Sequence, residues 1–217
     1  MSITSNFPSA SSSGSESYFF TSDGSVTLEA GIYFIYVQGA GGGAFSVYID
    51  KGSYDMYITR CGAEGALIWG LVCSDTPFDV SCVVGKGGIG AMGTDSSTAS
   101  GINLVGGTGG TTTVSLLGAT LTAKGGVGSN YTGTNSSYDF SVGTGGGYTI
   151  STSFPFLLEG KEGLDYAGNY SAPTKNVYVG GFTYKDQLYG AGGQGIEDIT
   201  ASTLRDGTDG CVLIIKA

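Results

Sequence analysis

Glu159, Glu162 and Asp165 lie close together around Lys161, and paired carboxylates are the groups that hydrolyse a glycosidic bond. The flanking sequence offers no rigid element to hold two carboxyls at a fixed separation, so a solvated acidic loop is the simpler reading. Gly85-Lys86-Gly87-Gly88-Ile89-Gly90 satisfies GxGxxG, and Gly39-Ala40-Gly41-Gly42-Gly43-Ala44 satisfies GxGxxA. Neither run leads into a helix whose N-terminus could receive a pyrophosphate, and no Walker-A lysine followed by Ser or Thr is present. The chain contains no histidine, which removes Ser-His-Asp and Cys-His catalysis and the common zinc constellations. Cys61, Cys73, Cys82 and Cys211 show no CxxC spacing and sit in apolar strand-like runs, where free buried thiols are expected. A disulfide between Cys73 and Cys82 is the alternative, if a hairpin around Asp75-Thr76-Pro77 places them on facing strands. Asn130-Tyr131-Thr132, Asn135-Ser136-Ser137 and Asn169-Tyr170-Ser171 fit the glycosylation acceptor, a chance match in a chain so rich in Asn, Ser and Thr. These residues predict no enzyme, no cofactor and no metal.

The elements that would carry any site are strands. Val26 and Leu28 alternate with Thr27 and Glu29, and Ile32 to Val37 is apolar or aromatic throughout, as in a strand covered on both faces. That strand needs a neighbour, and Cys211 to Ile215 at the far end of the chain supplies one. Phe45, Val47 and Ile49, then Tyr54, Met56 and Ile58 across a turn at Asp50-Lys51-Gly52-Ser53, read as a hairpin. Ala66 to Cys73 and Phe78 to Val84 read as a second. With 41 glycines, 4 prolines and no collagen repeat, the 217 residues fit one all-β domain, an antiparallel jelly-roll-like sandwich with glycine-rich loops over residues 18–217. Residues 1–17, Ser-rich, form a flexible or anchoring arm. Ser129 to Tyr189 reads as long loops on the sheet framework.

The formal net charge of -9, with only 9 Lys and Arg, argues against nucleic acid and anionic membrane as partners. No basic-then-apolar leader and no membrane-spanning apolar run are visible, which predicts synthesis in a cytoplasm and no membrane insertion.

Phe20 to Leu28 with Ala30-Gly31, the apolar strand Ile32 to Val37 and Gly39 to Gly43 resemble the opening of the glycine-rich domain of bacteriophage tail fibre and adhesin proteins. Val83 to Gly88, Gly106 to Thr113, Leu121 to Gly126 and the closing Asp206 to Ile215 resemble its later segments in order, so the likeness spans about residues 18 to 217. It implies a virion component made in the host cytoplasm: a tail-fibre tip or receptor-binding, host-attachment protein contacting host surface glycan or outer-surface protein, beside other virion proteins. The alternative is a capsid decoration or head-fibre protein that binds no receptor. A homo-oligomer, a trimer by likeness to phage fibres, is implied as well. The glycine runs are short, which favours an ordinary β-sandwich over stacked polyglycine II helices and leaves open whether any such helices form. Tyrosine in a Gly- and Ser-rich setting suits recognition, giving contact area with few torsions to freeze. The receptor-binding candidates are Tyr131, Tyr138, Tyr148, Tyr166, Tyr170, Tyr178 and Tyr184.

Overall fold

The structure is a computed structural model that describes residues 16–50, 55–96, 101–133, 138–151, 157–165, 180–194 and 205–217. No α-helix occurs among them. At one end lies a sandwich of two antiparallel five-stranded sheets. The first runs β1 (Ser17–Phe20), β18 (Cys211–Lys216), β3 (Gly31–Gln38), β6 (Leu67–Ser74), β15 (Leu157–Lys161). The second runs β14 (Tyr148–Ser151), β11 (Ala119–Ala123), β10 (Thr112–Leu116), β7 (Phe78–Val83), β2 (Gly24–Leu28). Tyr33, Ile35, Val37, Ile68, Val72, Val212 and Ile214 of the first sheet meet Leu28, Phe78, Val80, Cys82, Val114, Leu116 and Leu121 of the second. Strand alternation sends these residues inward, and burying each contributes about 1.5–3 kcal/mol for the larger aliphatic and aromatic side chains.

The expected pairing of the chain's two ends is present: Val212 stands opposite Val37 and Ile214 opposite Ile35. The strand β18 is central, between β1 and β3, and its outer residues Cys211 and Leu213 are covered by Phe182 and Tyr189. These come from a small hairpin, β16 (Phe182–Tyr184) with β17 (Gln187–Tyr189). Its turn residues Lys185 and Asp186 both take positive φ (47 and 63), the type I′ form whose twist matches that of paired strands.

Ala66 to Val84 is not a hairpin. The strands β6 and β7 lie in opposite sheets, because both edges of β6 are filled, by β3 and by β15, while β7 pairs with β2 and β10. Cys73 therefore points out of one sheet and Cys82 into the core from the other, and both are free thiols.

Beyond the sandwich the glycine runs do not loop. They form a lattice, built on Gly39 to Ala44. The N–H groups of Gly39 and Gly42 donate to Ala66 and Ala63, those of Ala40 and Gly43 to Gly110 and Gly107, and those of Gly41 and Ala44 to Thr208 and Arg205. The carbonyls follow the same period: Ala40 and Gly43 accept from Gly126 and Ser129, Gly41 and Ala44 from Gly88 and Ala91, and Gly42 from Gly193. A backbone whose polar groups turn through three directions and return every third residue, with no internal hydrogen bond, has the polyproline-II form. The six neighbours also bond to one another in a closed ring of segments 62–66, 124–129, 106–110, 85–90, 205–210 and 190–193. An outer row, 143–147 and 163–164, adds to the 62–66 and 124–129 side. Neighbours in the ring run alternately up and down, so the central N–H groups all go to antiparallel segments and the central carbonyls all go to parallel ones. The glycine-rich part is thus a polyglycine II-type array and not loops on an ordinary sandwich. Short runs suffice because every bond is made between runs rather than along one.

Past the lattice, β4 (Phe45–Asp50) pairs antiparallel with β5 (Asp55–Arg60), as expected from their alternation, and parallel with β8 (Ala91–Ser96). A second sheet of β9 (Ile102–Val105), β12 (Asn130–Gly133) and β13 (Tyr138–Ser141) faces it. Phe45, Val47, Ile49 and Ile58 pack with Leu104 and Tyr131 between the two.

The interior of the lattice admits no side chain where a neighbouring backbone closes on the Cα. A methyl on Gly41 would overlap the Ala191 carbonyl, whereas a methyl on Gly147, at the rim, would meet nothing. Gly41→Ala should lower unfolding stability by about 3 kcal/mol or more, and Gly147→Ala should stay within about 0.5 kcal/mol of the parent, both read from urea melts.

Candidate functional site

The chain enters and leaves the sandwich at the pole remote from the lattice. Ser17 is paired with Ile215, and Lys216 stands opposite Tyr33 near the start of β3. The two distal sheets form a cap at the other pole, held by β4, β8, β9 and β12, which join the lattice segments at Ala44, Gly90, Gly106 and Ser129.

The Arg60 guanidinium, buried at the end of β5, lies 4.2 Å from the centroid of Phe140 on β13 and donates to the Thr59 carbonyl at 2.7 Å. Such a cation–π contact is worth about 1–2 kcal/mol when partly desolvated, and here it joins strands of different sheets. Ser129 Oγ donates to the Arg60 carbonyl at 2.9 Å, so the same residue is fixed from the lattice side. On the outward face Tyr48 and Tyr57, opposite one another in register, bring their rings to 4.9 Å at an angle of 41°.

Of the tyrosines expected to bind a receptor, the three whose side chains are described, Tyr131, Tyr148 and Tyr184, lie apart. Tyr131 is fully buried in the cap core with its ring 5.7 Å from Phe45, so it offers a ligand no surface. Tyr148 is exposed on β14 of the sandwich. Tyr184 belongs to the covering hairpin, 4.6 Å from Phe19. Tyr138 stands on the edge strand β13 opposite Gly133, and Tyr166, Tyr170 and Tyr178 lie outside the described residues. The surface aromatics that do converge, Tyr48 and Tyr57, alternate in the sequence with core residues Val47, Ile49 and Ile58. That alternation alone would have placed them outward.

Asp165, Asp206, Asp209 and Glu64 serve the lattice. Asp165 Oδ1 accepts from Gly145 N–H at 2.6 Å, while Glu159 faces outward on β15, opposite Trp69 in register. Asp209 accepts from Gly87 N–H at 2.8 Å and from Lys86 Nζ at 2.9 Å, and Asp206 accepts from Gly90 N–H at 2.7 Å. The N–H groups of Gly39 to Ala44 and those of Gly85, Gly87, Gly88 and Gly90 are taken up by protein oxygens, not turned toward a phosphate. Glu64, which the sequence reading passed over, is buried in segment 62–66, and its carboxylate accepts from Leu164 N–H at 3.1 Å and Gly181 N–H at 2.8 Å. Among the described residues no group of three or more His, Cys, Asp or Glu is placed to hold a metal ion.

Burial pushes the thiols of Cys82 and Cys211 up to about 12, so both stay protonated at neutral pH. No protein-family model matches the chain, and no curated protein matches it.

Glu64→Ala would remove the carboxylate acceptor of two part-buried N–H groups, at about 1–3 kcal/mol in all, and should speed amide exchange at Leu164 and Gly181 ahead of the sandwich strands. Since the thiolate is the reactive form, a native thiol titration should modify the exposed Cys73 at once, with Cys82 and Cys211 reacting only on unfolding.

Proposed function

We propose that this chain is a bacteriophage virion structural protein that works at a tail-fibre tip as a receptor-binding, host-attachment component. The observation that carries the reading is the separation of poles. Ser17 and Lys216 lie at the sandwich pole, and the cap is held at the opposite pole by a lattice whose segments are bonded on several sides. A cap fixed in this way can be pressed against a surface without the chain folding back on its support. The sheet edges and loops there are free to vary in sequence, because the lattice and not the cap completes the backbone bonding of the centre. The resemblance in the ordered opening and closing segments points to the same setting.

The purified chain should bind host cells and, added before infection, slow adsorption of the parent phage in proportion to its concentration. Binding to virus particles but not to cells would overturn the reading in favour of a capsid decoration or head-fibre protein.

A further inference from the structure

We propose that the outward face of the β5–β4–β8 sheet is a carbohydrate platform centred on Tyr57 and Tyr48, and that it takes a neutral hexopyranose unit of a surface polysaccharide. The proposal rests on the host-attachment reading and names the ligand class for the free pole.

Parity places the aromatics. Val47, Ile49 and Ile58 point into the cap core, so Tyr48 and Tyr57, one residue removed on each strand, point the other way. They stand directly opposite in register, with ring centroids 4.9 Å apart and planes tilted by 41°. Tyr57 keeps 38% of its surface exposed, and Tyr48 is half-buried beside it. Thr94 lies across from Tyr48 on β8, Thr59 is two residues from Tyr57, and Asp50 is two residues from Tyr48, so all three share the aromatic face. Thr94 is exposed, while Thr59 and Asp50 are half-buried.

A pyranose ring matches this set of groups. Its axial C–H bonds form a weakly positive, apolar face that seats on the electron-rich face of an aromatic ring. Its hydroxyls radiate around the rim and need partners that donate and accept, which the Thr94 and Thr59 hydroxyls do. Tyrosine loses few torsions on binding, so a small contact can still be selective. Charge favours a neutral over an acidic sugar: the chain carries a net -9, no Lys or Arg lies on this face among the described residues, and Arg205 beside it is fully buried with Nη1 on the Met92 sulfur at 3.3 Å. Arg60 lies on the opposite face, over Phe140.

The test uses the full chain on immobilised neutral polysaccharides (mannan, galactan and glucan) with polysialic acid alongside, and on host cells in parallel. Wild type should be retained on at least one neutral polymer and not on polysialic acid. Tyr57→Ala should weaken that retention about tenfold or more, and Tyr57→Phe, which keeps the ring, by less than about threefold. Tyr57→Leu, which keeps apolar bulk on the strand without a π face, should fold normally and behave as Tyr57→Ala does. Equal retention of wild type and Tyr57→Leu, or no retention of wild type on any neutral polymer, would overturn the platform. Cell binding that survives Tyr57→Leu unchanged rejects the platform and leaves host attachment standing. A wild type that holds a neutral polymer but binds no host cell rejects host attachment and leaves the platform.

Discussion

The fold depends on the hydrogen bonds that leave Gly39 to Ala44 in every direction. Buried backbone groups must be paired, and this segment pairs its own with six different stretches of chain, none of them its neighbour in sequence. A β-strand can serve only two neighbours, because its N–H and C=O groups alternate between two sides. The three-residue turn of a polyglycine II segment serves six, which is why the centre of this protein can be made almost without side chains. Each bond contributes only about 0.5–1.5 kcal/mol net, but an unmade one costs about 1–3 kcal/mol, so the array is held as much by the penalty of opening as by the gain of closing.

The two ends solve what the lattice cannot. Glycine offers no apolar surface, and ordering it costs more chain entropy than ordering any other residue. The sandwich supplies the missing burial on one side through Tyr33, Ile35, Val37, Val80, Leu121 and Val212, and the cap supplies a smaller core on the other through Phe45, Val47, Leu104 and Tyr131. The lattice segments continue directly into strands of both ends, so neither core can shift without shearing backbone bonds between them.

The sandwich was legible in the sequence because its signal is local. Alternation at Val26 and Leu28, the apolar run Ile32 to Val37 and the closing Val212 to Ile215 each mark a strand, and the pairing of the last two follows from their need for neighbours. Which sheet a strand joins was not legible. The short link through Asp75 and Thr76 serves a hairpin and a crossing between sheets equally well, and only the edges of β6, filled by β3 and β15, decide. The lattice did leave a trace: Gly106-Gly107-Thr108-Gly109-Gly110-Thr111 and Lys124-Gly125-Gly126-Val127 are Gly-Gly-X triplets, and the third positions Thr108, Thr111, Lys124 and Val127 are the exposed ones. The period of three was hidden because each run completes only one or two turns. For the tyrosines, composition said that the type suits recognition but not which copies face outward. Tyr131 has the same chemistry as Tyr57 and lies in the core because Leu104 and Phe45 enclose it.

The order in which the lattice is filled follows from where its pieces lie along the chain. The central segment is synthesised before all six of its partners, yet Gly41 and Ala44 donate to Thr208 and Arg205, and the Gly42 carbonyl waits for Gly193. On the ribosome, therefore, the hub exists long before the last spokes, and no N-terminal portion can reach its final state as the chain emerges. Closure depends on contacts far apart in sequence, which makes it slow. Until it occurs, the hub's unpaired donors and acceptors are open to other chains, so a nascent copy depends on being kept apart from its neighbours.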